Sequence, residues 1–206
     1  MASMSTSKNI YPVEAATTQT APDSPQKHYT YDEMVAVLPE SNCPTELWDG
    51  ELIMSPSPSF YHQEIVLRFY EVLAGWVRQR HLGKVVVSPI DMVLSQARCV
   101  QPDVAFISNE RLSIVQRVIH GAADLVAEVI SEGERQRDRI DKCDLYEQHG
   151  VKEYWIIDPE PQTVDVLHLE SNQYRLVGRW RNGEMASSAL LAGLTVSATG
   201  LFTGEE

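Results

Sequence analysis

The fold of this chain is decided by the stretch Asp124–Ser131, which reads DLVAEVIS. Its apolar side chains run almost without interruption, a pattern that is typical of a strand buried on both faces of a sheet. Glu128 lies in the middle of this run. A carboxylate at such a position costs several kcal/mol unless it is paired or binds a metal ion. Glu128 is therefore either a functional group, or half of a buried ion pair, or a residue at a strand edge.

The segments around this strand alternate between helical and extended patterns. A capping box at Thr30–Glu33 predicts a short helix, and Asp49-Gly50 predicts a hairpin turn between two strands. Longer helices are predicted over residues 61–82, ended by Gly83, and over residues 138–149. Further strands are predicted over residues 84–88, 91–94, 100–107, 152–158, 163–169 and 174–180. These elements predict an α/β (α+β) fold in which α-helices flank a mixed central β-sheet.

Length and composition predict one domain behind a polar leader. Residues 1–27 are rich in Ser, Thr, Ala and Pro and have no apolar run, so we expect a disordered leader without a signal peptide. The remaining residues, 28–206, are long enough to form a single domain with a sizeable core. The formal net charge of −12 disfavours strong phosphate binding unless a cation offsets it locally.

The cysteines and the hydropathy indicate the compartment. Cys43, Cys99 and Cys143 are far apart and form no C-x-x-C pair, which argues against a zinc site or a disulfide framework. This usage fits a reducing cytoplasm. No stretch approaches the roughly 20 apolar residues of a transmembrane helix, so no membrane partner is expected.

Three residues carry the candidate chemistry. Asp103 follows Pro102 on a predicted strand, Glu128 lies on the central strand, and Lys142 lies on the helix that follows it. Two carboxylates and a lysine are the minimum set for holding a divalent metal and cutting a phosphodiester. Lys142 shares a predicted helix face with Asp138 and Tyr146, at spacings of four residues. The alternative is structural: Asp103 as a turn residue, and Lys142 in an exposed pair with Asp138.

The polar residues near these three have equally ordinary explanations. His62 begins the long helix, where a histidine is usually solvated or caps the helix, and Glu51 follows the hairpin turn and is expected to be exposed. Arg135, Arg137 and Arg139 form a positive cluster that suits phosphate groups, although neighbouring acidic residues weaken it.

Together these segments resemble the Uma-two family of bacterial endonucleases, which belongs to the PD-(D/E)XK, or restriction-endonuclease-like, superfamily. The likeness spans roughly residues 30 to 170. It rests on Asp49–Leu52, Met54–Pro56, His62, Pro102–Val104, Asp124–Ser131, Asp138, Lys142, Tyr146 and Gly150–Pro159. The resemblance implies the superfamily's mixed sheet with flanking helices and a metal-dependent hydrolysis of phosphodiester bonds in DNA.

The same resemblance implies a role for each site residue. Asp103 and Glu128 are the implied carboxylate ligands of Mg²⁺ or Mn²⁺, and the backbone carbonyl of Val129 adds a third oxygen. Lys142 is the implied catalytic lysine, which orients the attacking water and stabilises the developing charge. Supporting residues implied by the likeness are Glu51, His62 and Asp138.

The chain departs from the superfamily pattern at Ile130, where a lysine usually stands two residues after the acidic residue. Glu132 also replaces the second residue of the family's usual Ser-Pro-Ser turn.

Three hypotheses about the function follow. The first two are an active DNA endonuclease, and a catalytically inactive module of the same fold that acts in protein or nucleic-acid interaction. A metal-dependent enzyme for another phosphate ester is a third. A homodimer suits the first, because cutting both strands of a duplex needs two sites.

Overall fold

The structure is a computed structural model that describes residues 27–38, 44–131 and 137–204, without the side chains of residues 137 and 138. All of the predicted leader except Lys27 lies outside these residues. The α-helices are Tyr31–Val37 (α1), Phe60–Gln79 (α2), Lys142–His149 (α3) and Ala198–Thr203 (α4). A 3₁₀ helix spans Asn109–Ile114, and a π-helical turn, Arg137–Asp141, leads directly into α3. None of the described helices combines the length and the apolar character needed to cross a bilayer.

The described strands form three sheets. The first contains Thr45–Trp48 (β1), Glu51–Met54 (β2), Met92–Ser95 (β4), Arg98–Val100 (β5) and Ile119–His120 (β7), in the order β2-β1-β5-β4-β7. The central sheet contains Gly83–Val87 (β3), Val104–Ser108 (β6), Leu125–Val129 (β8), Glu153–Asp158 (β9), Thr163–Glu170 (β10) and Gln173–Trp180 (β11). Met185–Ser187 (β12) and Thr195–Ser197 (β13) pair with each other.

The central sheet has the order β11-β10-β9-β8-β6-β3. Its β8 and β9 are parallel and its other neighbours are antiparallel, so the predicted mixed central sheet is confirmed. The predicted hairpin is also present: β1 and β2 join through Asp49 and Gly50, which both have the positive φ that a tight hairpin turn requires.

Both faces of the central sheet are covered, which explains the nearly continuous apolar sequence of β8. Leu125, Ala127 and Val129 face the apolar cluster that contains the buried side of α2. Val126 faces the opposite cluster, which contains α3 and residues of the first sheet. Because side chains alternate along a strand, Glu128 points to the α3 side. This face decides which residues Glu128 meets.

The long helix is shorter at its end than its sequence pattern predicts. It stops at Gln79 with Arg80 as its C-cap, and Gly83 is the first residue of β3, not the helix cap. A Cβ atom at Gly83 would lie 2.1 Å from the carbonyl oxygen of Ile107, so glycine is needed there for close strand pairing. The helical spacing of apolar residues over 61–82 predicts that Val72 shares the buried face with Ile65, Phe69 and Leu73, but Val72 is 41% exposed because it lies at the margin of the apolar stripe.

The predicted strand over residues 100–107 is also corrected. The chain forms β5 and β6 in two different sheets, and Pro102-Asp103 lie in the connection between them. Proline has no backbone N–H for a sheet ladder, which favours this break. Asp103 therefore lies just before β6, where the two larger sheets meet.

Candidate active site

The predicted site residues meet at a cavity of about 540 Å³. Its walls come from β1, the Ser/Pro segment after β2, the start of α2, the connection before β6, the end of β8 and α3. The cavity therefore opens where the first sheet, the central sheet and two helices come together. Polar residues of its lining include Glu46, His62, Gln101, Asp103, Glu128 and Lys142.

Asp103 is held against the end of β8 by two neighbours. Its Oδ2 accepts a hydrogen bond of 2.8 Å from the backbone N–H of Val129, and it lies 3.3 Å from Nε2 of His62. The same His62 nitrogen is 2.9 Å from the carbonyl oxygen of Val129. With a proton on Nε2, His62 donates to the Val129 carbonyl oxygen, and the same nitrogen lies within ion-pair distance of Asp103. Ser59 fixes this histidine, because its hydroxyl caps α2 by accepting from the His62 N–H at 3.1 Å.

Glu128 is 2% exposed and receives two donors on one oxygen. The Tyr146 hydroxyl donates to its Oε1 at 2.6 Å, and the Lys142 ammonium lies 3.0 Å from the same atom. Burial, and then the Glu128 charge, raise the pKa of Tyr146 well above its usual value, so the phenol stays protonated as a donor. Lys142 and Tyr146 are one α-helical turn apart, which confirms the predicted shared face.

Glu46 of β1 is a site residue that sequence reasoning missed. It is 4% exposed and lies 3.7 Å from the Lys142 ammonium. Its Oε1 accepts from the N–H of Gln101 at 3.0 Å, and its Oε2 accepts from the Trp48 indole at 2.9 Å. The strand β1 reads Thr-Glu-Leu-Trp and has no continuous apolar run around its acid, so the sequence held no signal of the kind that identified Glu128.

Comparisons with known proteins identify the family and support the fold. The model of the Uma2 family, described as "Putative restriction endonuclease", matches residues 31–199. This chain belongs to the Uma2 family. Its structure also resembles the crystal structure of "a putative nuclease belonging to DUF820 from Anabaena variabilis ATCC 29413", with a TM-score of 0.72, 21% identity, and coverage of 84% of this chain and 97% of that chain. No curated protein matches significantly.

The family and the fold indicate a restriction-endonuclease-like nuclease, and the predicted fold class is confirmed. At 21% identity the structural likeness concerns the fold alone. Asp103, Glu128 and Lys142, which the sequence pattern singles out, lie on the loop before β6, on β8 and on α3.

The structure brings five of the predicted site residues to the cavity: His62, Asp103, Glu128, Val129 and Lys142. Glu51 lies on β2 opposite Trp48 and does not belong to the cavity lining within the described part of the chain. The side chain of Asp138 falls outside the described residues, so its predicted contact with Lys142 stays a prediction.

Arg139, which belongs to the predicted phosphate-binding cluster, pairs with carboxylates of the protein itself. Arg139 lies 2.5 Å from Asp158 and 3.4 Å from Asp165, two fully buried carboxylates of the central sheet. Its guanidinium therefore joins the π-helical turn to β9 and β10. Arg135 and the side chain of Arg137 are outside the described residues.

The chemistry of the cavity fits a divalent cation. Its described lining holds the carboxylates of Glu46, Asp103, Glu128 and Glu160 against one ammonium, that of Lys142, which leaves an excess of negative charge. The described residues contain no group of three His, Cys, Asp or Glu side chains placed to hold a metal by themselves. Carboxylate and carbonyl oxygens are the ligand types that Mg²⁺ takes in proteins, and Mg²⁺ also keeps several of its waters.

Proposed function

We propose that this chain is a Mg²⁺-dependent endonuclease that hydrolyses phosphodiester bonds in DNA. The observation that carries the proposal is the convergence of Asp103, Glu128 and Lys142 on one cavity from three separate elements. Membership of the Uma2 family supports the reaction class. The excess of carboxylates supports the need for a cation, because a phosphate diester is itself an anion and is repelled by this lining.

Asp103 and Glu128 would hold the Mg²⁺ or Mn²⁺ ion, with the Val129 carbonyl as a third oxygen. The bound cation would supply charge neutralisation at the phosphate and make water a better nucleophile. The protein contributes the fixed positions of these oxygens. Val129 and His62 hold Asp103, while Tyr146 and Lys142 hold Glu128.

Lys142 is the proposed catalytic cation. Its ammonium is buried against Glu128 at the cavity wall, where it faces the charge that develops on the phosphate oxygens as the P–O bond breaks. It would also orient the attacking water by donating a hydrogen bond. Because α3 and β8 hold the lysine and the carboxylate in a fixed relation, little reorganisation is needed during the reaction.

A second candidate is a catalytically inactive module of the same fold. The contact of 3.0 Å between Lys142 and Glu128 favours it, because this ion pair already neutralises the glutamate. The net charge of −12 points in the same direction. The cavity of about 540 Å³ beside the pair favours the active enzyme, since it leaves room for a cation and a phosphate group.

The deciding experiment is a calorimetric titration with Mg²⁺ and Mn²⁺. We compare the wild type with Asp103→Ala and Glu128→Ala, and use Asp49→Asn as the control, because it removes an exposed carboxylate outside the cavity and suits the positive φ of that position. The proposal expects binding by the wild type and the control, and at least a tenfold loss of affinity in the two site variants. Circular dichroism checks that each variant is folded.

Plasmid cleavage under the same conditions tests the reaction itself. Lys142→Met should bind the metal but lose at least a hundredfold in cleavage rate. A wild type that binds neither ion and cuts no DNA would favour the inactive module. Metal binding without DNA cleavage, together with hydrolysis of another phosphate ester, would exclude DNA as the substrate. The proposal includes a homodimer, because two active sites are needed to cut both strands of a duplex. Sedimentation checks this oligomeric state. The proposed compartment is the cytoplasm.

A further inference from the structure

We infer that Glu46 is a positioning residue of this site, which holds the Lys142 ammonium and ties it to the segment that carries Asp103. The inference rests on the proposed function for its catalytic consequence, but the contact that it describes is independent of activity. Glu46 comes from the first sheet, whereas Glu128 belongs to the central sheet and Lys142 to α3. Glu46 therefore connects the first sheet to the proposed active site.

Each oxygen of the Glu46 carboxylate is fixed. The Trp48 indole holds Oε2 at 2.9 Å, and the backbone N–H of Gln101 holds Oε1 at 3.0 Å. Gln101 precedes Asp103 by two residues in the connection between β5 and β6. The same Oε1 faces the Lys142 ammonium at 3.7 Å. One carboxylate oxygen thus lies between the Asp103 segment and the catalytic lysine.

Burial explains why Glu46 needs this contact. Glu46 is 4% exposed, so its charge requires a partner inside the protein. Two neutral donors satisfy hydrogen-bonding positions of Glu46 but do not balance its charge. Within the described part of the cavity lining, Lys142 is the only lysine or arginine that faces it.

The second carboxylate matters because Glu128 has two tasks. In the proposed function Glu128 binds a cation. The positive charge of that cation weakens the attraction between the Glu128 carboxylate and the Lys142 ammonium. Glu46 keeps a full charge beside the ammonium in that state. The lysine has a flexible four-carbon stem, so a lasting anchor limits where its charge lies during the reaction. Glu46 acts through Lys142 and does not itself touch the reacting atoms.

A double-mutant cycle of Glu46→Gln and Lys142→Met tests this role. We expect Glu46→Gln to lower kcat about tenfold, with the KM for DNA and the Mg²⁺ affinity unchanged. In the Lys142→Met background, Glu46→Gln should change the residual kcat by less than about twofold, because its target is gone. Equal fold-losses in the two backgrounds would overturn the inference.

Glu153→Gln is the matched control. Glu153 is also a fully buried strand carboxylate, and it also accepts from the indole of the tryptophan two residues later, at 2.7 Å. It lies outside the cavity lining and instead holds the backbone of Ala189 and Leu190. Its substitution should lower the urea midpoint but leave the kcat of the folded enzyme unchanged.

The urea midpoints of the same cycle separate this inference from the proposed function. They are measured without metal or DNA, and contact between Glu46 and Lys142 predicts a midpoint shift for the double variant that differs from the sum of the single shifts. An inactive wild type with coupled midpoints would remove the nuclease proposal and leave Glu46 as the holder of Lys142. Additive midpoints would overturn the inference whatever the activity.

Discussion

The ammonium beside Glu128 comes from a different element than the superfamily's usual pattern predicts. The superfamily's usual lysine position is occupied by Ile130, which lies on the same strand face as Glu128 and is buried in the apolar cluster on the α3 side. No charge reaches the cavity from that position. Lys142 supplies the ammonium from α3 instead, at 3.0 Å from Glu128. The same local charge pair is therefore built from a different element.

At the residue scale, the Tyr146 hydroxyl is the first group to test. Tyr146→Phe removes the 2.6 Å hydrogen bond to Glu128 and leaves a buried carboxylate with one donor fewer. We expect a loss of about 2 kcal/mol in the free energy of unfolding. If the proposed function holds, the cleavage rate falls roughly tenfold, because outer residues orient the groups that they touch. Urea denaturation and a plasmid-cleavage time course measure the two effects.

Tyr174→Phe is the matched control for this substitution. Tyr174 is also buried and donates its hydroxyl to the Val151 carbonyl at 2.9 Å, outside the cavity lining. A similar loss of stability with an unchanged cleavage rate is expected. Equal losses of cleavage in both variants would show that Tyr146 acts only through general stability.

At the element scale, the π-helical turn before α3 determines where Lys142 lies. Arg139 belongs to this turn, and its guanidinium joins Asp158 at the end of β9 to Asp165 of β10. Both carboxylates are fully buried, and Asp165 is also paired with Arg179 at 2.6 Å. The ion pairs hold the start of α3, and with it Lys142, against the sheet.

The substitution Arg139→Met should therefore affect both stability and activity. It leaves Asp158 buried without the guanidinium, and breaking one side of a buried pair costs about 3 kcal/mol. The cleavage rate of the folded fraction should also fall, since Lys142 lies three residues further along the chain. Chemical denaturation with cleavage assays measures these effects.

Arg98→Met provides the comparison. The Arg98 pair with Asp49 has a contact of 2.6 Å, but the aspartate side chain is 74% exposed. Solvent screens such a pair, so its loss should cost less than about 1 kcal/mol. If Arg139→Met were as mild as Arg98→Met, the buried network would not hold the turn.

At the scale of the whole molecule, buried carboxylates join elements that are distant in sequence. Asp124, at the start of β8, accepts from the backbone N–H of Ser108 at 2.8 Å and pairs with Lys152 at 2.7 Å and Arg111 at 3.3 Å. Burial acts to raise the pKa of this carboxyl, but the hydrogen bonds from Lys152 and Ser108 and the Arg111 charge together hold the pKa below its usual value.

The lowered pKa makes part of the stability dependent on pH. Because the folded state holds the proton of Asp124 less tightly than the unfolded state, the contribution is complete above about pH 5 and is lost as the pH falls through the folded-state pKa. Asp124→Asn should therefore destabilise the protein by about 3 kcal/mol at pH 7. The difference from the wild type should narrow below about pH 4, as measured by urea denaturation across pH.

For Asp144→Asn we expect a change in stability of the opposite sign, because the pKa of Asp144 is raised and not lowered. Although Asp144 is exposed, desolvation by the surrounding protein, and then the charges of Glu147 and Asp141, raise its pKa, so its ionised form is disfavoured in the folded state. A neutral amide should therefore increase stability slightly at pH 7, and this gain should disappear in acid as the native carboxyl becomes protonated. A destabilising Asp144→Asn at neutral pH would contradict this assignment.

Some residues of the candidate site could be identified from the sequence that surrounds them, and others could not. Glu128 was identifiable because an acid inside a continuous apolar strand needs a partner wherever the strand lies. Lys142 was identifiable through its helix face, shared with Tyr146. Glu46 was not, because the meaning of its carboxylate depends on the Gln101 N–H and the Lys142 ammonium, which approach from other parts of the chain.

The amino-acid sequence by itself determined the buried strands, the hairpins, the mixed central sheet and the family, because periodicity, caps and turn residues act over a few positions. Only the tertiary structure decided that Pro102-Asp103 lie between two sheets, that Gly83 serves strand pairing, and that Arg139 faces buried carboxylates. These outcomes depend on the distance between elements and on which charges are buried together. Such quantities arise from packing of the whole chain and have no local pattern in the sequence.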